Sequence, residues 1–276
     1  MMGKEKRLDY NGAHMAHFQS TAGRVYFDEK GFGEPLIFVH GRTLDSRMWQ
    51  PQIDKFSKNY RCITYDLNGF GQSEIPKNGY DPVLTLRELY DHLKINKATI
   101  IALSLGTHIV INFALENPEL VDKLVLMSCT ISGAEFGQEF MDDWNAVESQ
   151  AMAGDLKKAK ELWINCRAFG QLKGNRLENY ELFLKMVAEY TGWDIINPPK
   201  KMPRPGVMER LGEITAPTLV MTGDKDYPDF RKNGEILGSS LPNARTEIIK
   251  NSSHMVNLEF PELVNELIGE FLVAGK

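Results

Sequence analysis

Three cysteines, Cys62, Cys129 and Cys166, are all that the 276 residues contain, and none stands at CxxC or metal-ligand spacing. An odd number this small excludes a disulfide framework and reads as reduced structural thiols, which points to a cytoplasmic setting. Long apolar runs are missing as well. Leu36 to Val39 and the stretch around Ile100 and Ile101 fall far short of the ~20 residues a bilayer-spanning helix needs, so no membrane partner is expected. A secretory signal would need an apolar core after Lys4, Lys6 and Arg7, where Leu-Asp-Tyr-Asn-Gly-Ala-His stands instead. There is no basic excess: 32 Lys plus Arg face 37 Asp plus Glu, for a net charge of −5. Without that excess nothing draws the chain to phosphate backbones, and nucleic acid is not an expected partner. Internal repeats and low-complexity tracts are absent too.

What is present is an ordinary globular composition, 42% apolar and 25% charged. The length allows two domains, but one α/β unit carrying an insertion is the economical reading. Residues 1–15 look detached from the rest, Gly12-Ala13-His14-Met15 resembling a cloning scar ahead of a start at Met15, and are set aside as a leader. His14 and His17 have a metal-compatible spacing but no third ligand, so no metal site is expected.

Phe18 with its neighbours and Val25-Tyr26-Phe27, joined by a turn signal at Thr21-Ala22-Gly23, predict an antiparallel opening hairpin. Four continuous apolar or β-branched runs follow, at Leu36–Val39, Cys62–Tyr65, Thr99–Ala102 and Leu124–Met127, of the kind buried on both faces of a parallel sheet. Helical spacing separates them, as in Trp49, Ile53 and Phe56 or Leu86, Leu89 and Leu93. The alternation predicts an α/β fold with a mostly parallel, doubly wound sheet. From about Ile131 to Glu213 only helical stretches appear, and strand signals resume at Pro217–Met221 and Thr246–Ile249. The expected organisation is a core over 16–130 and 214–276 with a helical cap inserted over 131–213.

Ala102-Leu103-Ser104-Leu105-Gly106 joins a buried strand directly to a helix. Small residues two positions either side of a serine on a strand-to-helix turn form a nucleophile elbow, which lifts the hydroxyl above the sheet. Ser104 is therefore the candidate nucleophile. A serine hydroxyl is weak at neutral pH and needs a histidine base oriented by a carboxylate. Both stand downstream: Gly223-Asp224-Lys225-Asp226 ends a late strand, and Asn251-Ser252-Ser253-His254 precedes a final helix from Pro261 to Val273. Asp224 and Asp226 are both candidates for the acid.

With His40-Gly41-Arg42, Asp66-x-x-Gly69-x-Gly71-x-Ser73, the Ser104 elbow, Gly223-x-x-Asp226 and His254 to Pro261 in order, the chain resembles the α/β-hydrolase fold superfamily with a helical cap, over about Phe18 to Leu272. The likeness is to enol-lactonases, aryl esterases and carbon–carbon bond hydrolases. That resemblance implies Asp226 as the acid, and an oxyanion hole from the backbone N–H groups of Arg42 and Leu105. It also implies that His40 braces backbone near the oxyanion loop, and that Asp66 and Ser73 fix a turn in which Gly69 and Gly71 take positive φ. The expected activity is hydrolysis of a small carboxylic ester or lactone through an acyl-enzyme, without a cofactor. Alternatives on the same fold are carbon–carbon cleavage, acyl transfer to peroxide or alcohol, cyanohydrin lysis, and a ligand receptor without turnover. Arg42 is a tentative substrate-binding residue, its guanidinium suited to a substrate carboxylate; the competing expectation is that it turns outward or makes a salt bridge within the protein. Trp144, Trp163, Phe169 and Trp193 are the large apolar residues of the cap, at least half of them expected in its core.

Overall fold

A computed structural model describes residues 14–77, 79–198 and 204–274. Its centre is one eight-stranded sheet, ordered β1-β2-β4-β3-β5-β6-β7-β8. The hairpin is β1 (His14–Ser20) and β2 (Gly23–Lys30), paired antiparallel with Phe18 opposite Val25. The first strand starts at His14, inside the stretch set aside as leader, and residues 1–13 lie outside the described residues. β2 then pairs antiparallel with β4 (Arg61–Tyr65), while β3 (Pro35–Val39), β5 (Ala98–Leu103), β6 (Val121–Met127), β7 (Thr218–Gly223) and β8 (Ala244–Ile249) extend the sheet in parallel.

Burial follows position in the sheet. Every residue of β5 and β7 is buried, which is why those segments read as unbroken apolar runs. β8, at the edge, is exposed or half-buried in all but its last residue and carries the Arg245–Glu247 ion pair on its surface, which blunts the edge against pairing.

Helices α1 (Gln50–Phe56), α2 (Pro82–Leu93) and α3 (Leu105–Glu116) follow β3, β4 and β5. Proline marks several starts: α2 opens on Pro82 behind Asp81, whose carboxylate accepts the Val83 and Leu84 N–H groups. Between β6 and β7 the described residues contribute only helices: α4 (Gln138–Met152), α5 (Leu156–Ile164), the short α6 (Leu172–Asn175), α7 (Leu177–Glu189), and the short α8 (Trp193–Ile196) and α9 (Val207–Arg210). Residues 199–203 of the predicted cap lie outside the described residues. The chain returns to the sheet and adds α10 (Pro228–Ser240), α11 (Val256–Glu259) and α12 (Pro261–Val273). No helix among the described residues is long and apolar enough to cross a membrane.

All three thiols are free and buried. Desolvation pushes them upward, Cys62 and Cys166 to about 12, so they are packing groups and not nucleophiles.

Candidate active site

Ser104 occupies the turn between β5 and α3 with φ +53° and ψ −116°, a strained conformation for a residue with a side chain. Its own N–H is anchored to Met127 O at 3.0 Å, and its carbonyl accepts the Thr107 N–H and hydroxyl at 2.8 and 2.7 Å. Close packing holds the turn from beneath: a Cβ on Gly106 would lie 2.3 Å from Val39 O, so any larger residue would push α3 off the sheet. Ala102, near the end of β5, is fully buried.

Asp226 and His254 come from the loops after β7 and β8. Asp226 is fully buried; its Oδ2 lies 2.8 Å from His254 Nδ1, and its Oδ1 accepts the Tyr227 N–H at 2.8 Å. Asp224 does different work, accepting the Asn251 N–H at 2.8 Å beside the Lys225 and Lys250 side chains. Of the two acids, Asp226 is the one in contact with the imidazole. Phe230 packs its ring against that imidazole at 4.4 Å between centroids.

The turn residues behave as the resemblance implied. His40 Nδ1–H donates to Gly41 O at 2.8 Å while Nε2 accepts the Leu67 N–H at 2.9 Å, which fixes both the tautomer and the loop after β3. Asp66 accepts the Ser46 and Gln72 N–H groups, Ser73 donates its hydroxyl to Asp66 O, and Gly69 and Gly71 have φ of +87° and +49°.

Ser104 and His254 face one cavity of about 380 Å³, between the carboxyl ends of the strands and the helical insertion. Arg42 and Leu105 line it beside them. Leu105 opens α3, and its N–H is one of those a helix leaves without an internal partner. Trp144 and Trp163 form part of the roof, whereas Phe169 packs on Phe183 and Trp193 on Tyr80, away from the cavity. Trp163 also ties the roof to the loop after β3, its Nε1–H donating to Thr43 Oγ1 at 2.8 Å.

Three contributors escaped sequence reasoning. Asp194, from α8, is 3% exposed and sits in the cavity wall with Oδ2 3.2 Å from Arg42 Nε; Arg42 also lies 4.5 Å over the Trp144 ring. Of the two expectations for Arg42, the internal salt bridge is what the structure contains, although the side chain points into the cavity wall. His108, one turn into α3, also lines the cavity; burial first, and then Arg42 and Arg204, press its pKa down to about 4, so its imidazole is neutral. Glu259, fully buried, accepts the Ser252 and Ser253 hydroxyls, the Ser253 and Met255 N–H groups and the Asn175 amide, which knits together the loop bearing His254. Its place within the His254-to-Pro261 motif was the one available signal. Among the described residues no three His, Cys, Asp or Glu side chains converge as a metal-ligand set.

Comparison with known proteins agrees with this architecture. A model of the family described as "Alpha/beta hydrolase family" matches residues 36–267. Carboxylesterase YbfK of Bacillus subtilis is 26% identical over 250 residues, covering 87% of this chain and 80% of that protein. The 3-oxoadipate enol-lactonase 1 of Acinetobacter baylyi is 25% identical over 247 residues, covering 86% and 88% respectively. The crystal structure of an enol-lactonase from Burkholderia xenovorans LB400 superposes with a TM-score of 0.82 at 18% identity, over 93% of this chain and 99% of that one.

Proposed function

Because the chain belongs to the alpha/beta hydrolase family, we propose that it is a serine hydrolase that cleaves a small carboxylic ester or lactone without a cofactor. One observation carries the reading: the buried Asp226 carboxylate lies 2.8 Å from His254 Nδ1, in a cavity that His254 shares with a serine held at φ +53°. A carboxylate on Nδ1 leaves Nε2 as the basic nitrogen, free to take the Ser104 proton as the oxygen attacks the carbonyl. The negative oxygen that develops is received by the Arg42 and Leu105 N–H groups. His254 then returns its proton to the leaving alcohol, and water, deprotonated by the same nitrogen, releases the acid from Ser104. The esterase and enol-lactonase names among the relatives support this substrate class. The three free, buried thiols support a cytoplasmic setting.

The test is steady-state hydrolysis of short-chain esters, aryl esters and lactones by the wild type and by Ser104→Ala, each verified as folded by circular dichroism. Turnover by the wild type that falls by at least about 10³-fold in the variant is expected. Equal rates in the two proteins would sink the nucleophile assignment, and no turnover by either would sink the hydrolase reading.

A further inference from the structure

The cavity holds a polar corner that the proposed chemistry does not use. Asp194 is 3% exposed; its Oδ1 accepts the Tyr190 hydroxyl, and its Oδ2 accepts no hydrogen bond. Arg42 Nε approaches that Oδ2 to 3.2 Å, out of line for a hydrogen bond, while the guanidinium lies over the Trp144 ring. The pair is held by charge and stacking. The Arg42 Nη–H groups serve no hydrogen bond among the described residues, and the buried Asp194 Oδ2, in ion-pair contact with Arg42 Nε, accepts none. A site built this way recovers binding energy when a ligand supplies the missing donor, and discriminates against analogues that lack it.

The surrounding charge says which ligand. A carboxylate would gain Arg42 but meet Asp194 and Glu148 in the same wall, with Asp226 behind His254. An ammonium would satisfy Asp194 but meet Arg42 at close range. His108 is neutral and shifts neither balance. Only a neutral group with a donor next to an acceptor meets both sides without repulsion.

Resting on the ester-hydrolase reading, we infer that Arg42 and Asp194 form a recognition site for a carboxamide or a similar neutral donor–acceptor group, borne by the substrate away from its scissile carbonyl. The amide N–H donates to Asp194 Oδ2 and the amide C=O accepts from an Arg42 Nη–H. Tyr190, its phenol held protonated by burial and by the Asp194 charge, fixes the carboxylate from behind.

The experiment compares three forms of one ω-group, carboxamide, methyl ketone and carboxylate, on C4 to C6 chains at pH 7. The chain is placed in turn on the acyl side of ethyl esters and on the alcohol side of acetates. At the best length the carboxamide should exceed the ketone, which has the same shape without the donor, by about tenfold or more in kcat/KM, and the carboxylate by more. Asp194→Asn leaves the Arg42 charge unneutralised, so the carboxylate should overtake the carboxamide. A wild type fastest on the carboxylate, or three forms within twofold in both placements, would overturn the inference. Binding is read separately, by calorimetric titration of Ser104→Ala with the same compounds, where the carboxamide should bind about tenfold tighter than the ketone. If no ester is turned over at all, the hydrolase reading falls, while the order of these affinities still decides whether the corner selects an amide.

Discussion

The floor of the cavity and its roof are built on opposite plans. On the floor, Ser104, Asp226 and His254 sit on turns at the ends of β5, β7 and β8, and the polar groups around them are satisfied by neighbouring backbone and side chains. Asp66 takes two N–H groups, His40 uses both ring nitrogens, and Glu259 takes five donors. On the roof, aromatic side chains from the helical insertion supply the surface, and a buried carboxylate there, Asp194, keeps an oxygen that is ion-paired with Arg42 but accepts no hydrogen bond. A reaction common to many substrates needs a fixed geometry, which backbone hydrogen bonds provide. Choosing among substrates needs groups that stay incomplete until the right ligand arrives.

Breaking the floor should cost most. Asp226→Asn keeps the shape of the side chain but presents an amide to His254 Nδ1, which disfavours the tautomer that leaves Nε2 basic. The expected loss is about 10³–10⁴ in kcat with the fold preserved. Ester hydrolysis beside a thermal melt measures both, and a loss below tenfold would mean that another group orients the imidazole.

Glu259→Ala attacks the same loop through its scaffold. Five donors, all in or against the His254 loop, lose their acceptor in a site without solvent, which should lower stability by about 3–5 kcal/mol. For a chain of this size that is a fall in melting temperature of roughly 6–15 °C. Glu259→Gln, which retains one acceptor oxygen, should fall between the variant and the wild type; an unchanged melting temperature in Glu259→Ala would show that the loop is held elsewhere.

The same division separates what is legible in the amino-acid sequence from what is not. The floor is legible because its chemistry is local: a buried run ending in a serine flanked by small residues, and an acid and a histidine each just beyond a strand. Even there, family likeness alone separates Asp226 from Asp224 in the sequence, and the 2.8 Å contact of Asp226 with His254 appears only in the fold. The edge strand β8 shows its β-branched end, Thr246–Ile249, but not Ala244 and Arg245, because neither of these residues carries a strand preference of its own. The roof is not legible. Asp194 lies in a four-residue helix, and its approach to Arg42 depends on how the whole insertion folds back over the sheet, which no local period encodes. His108 shows on α3 only as a polar interruption in an apolar helix, and its cavity-facing position follows from the angle at which the elbow launches that helix.

His108 belongs to the floor yet borders the roof, so its titration sharpens the boundary between them. In the unfolded chain it takes a proton near its ordinary pKa of 6.5, whereas in the folded protein burial and the Arg42 charge delay that to about 4. Between those values the unfolded state binds more protons, so stability falls as pH drops from about 6.5 to 4 and is unaffected by this group above that window. At about 1.4 kcal/mol per pH unit the loss reaches at most roughly 3 kcal/mol. Melting curves of wild type and His108→Gln from pH 4 to 7 should converge at the acid end if the wild type starts the more stable. Parallel curves would show that His108 protonates without cost.

Trp163→Phe is the mildest test and the one aimed at the seam itself. Phenylalanine keeps most of the aromatic surface against Trp144 and Phe169 but removes the Nε1–H that reaches Thr43 Oγ1 on the oxyanion loop. One neutral hydrogen bond is worth about 1 kcal/mol, so the melting temperature should drop by only a few degrees. If the roof serves recognition and the floor serves reaction, KM should rise several-fold while kcat stays within about twofold, because the bond orients the roof over a floor whose own hydrogen bonds are intact. A fall in kcat with KM unchanged would place Thr43, and with it the oxyanion loop, under the control of the roof, and the two plans would have to be treated as one.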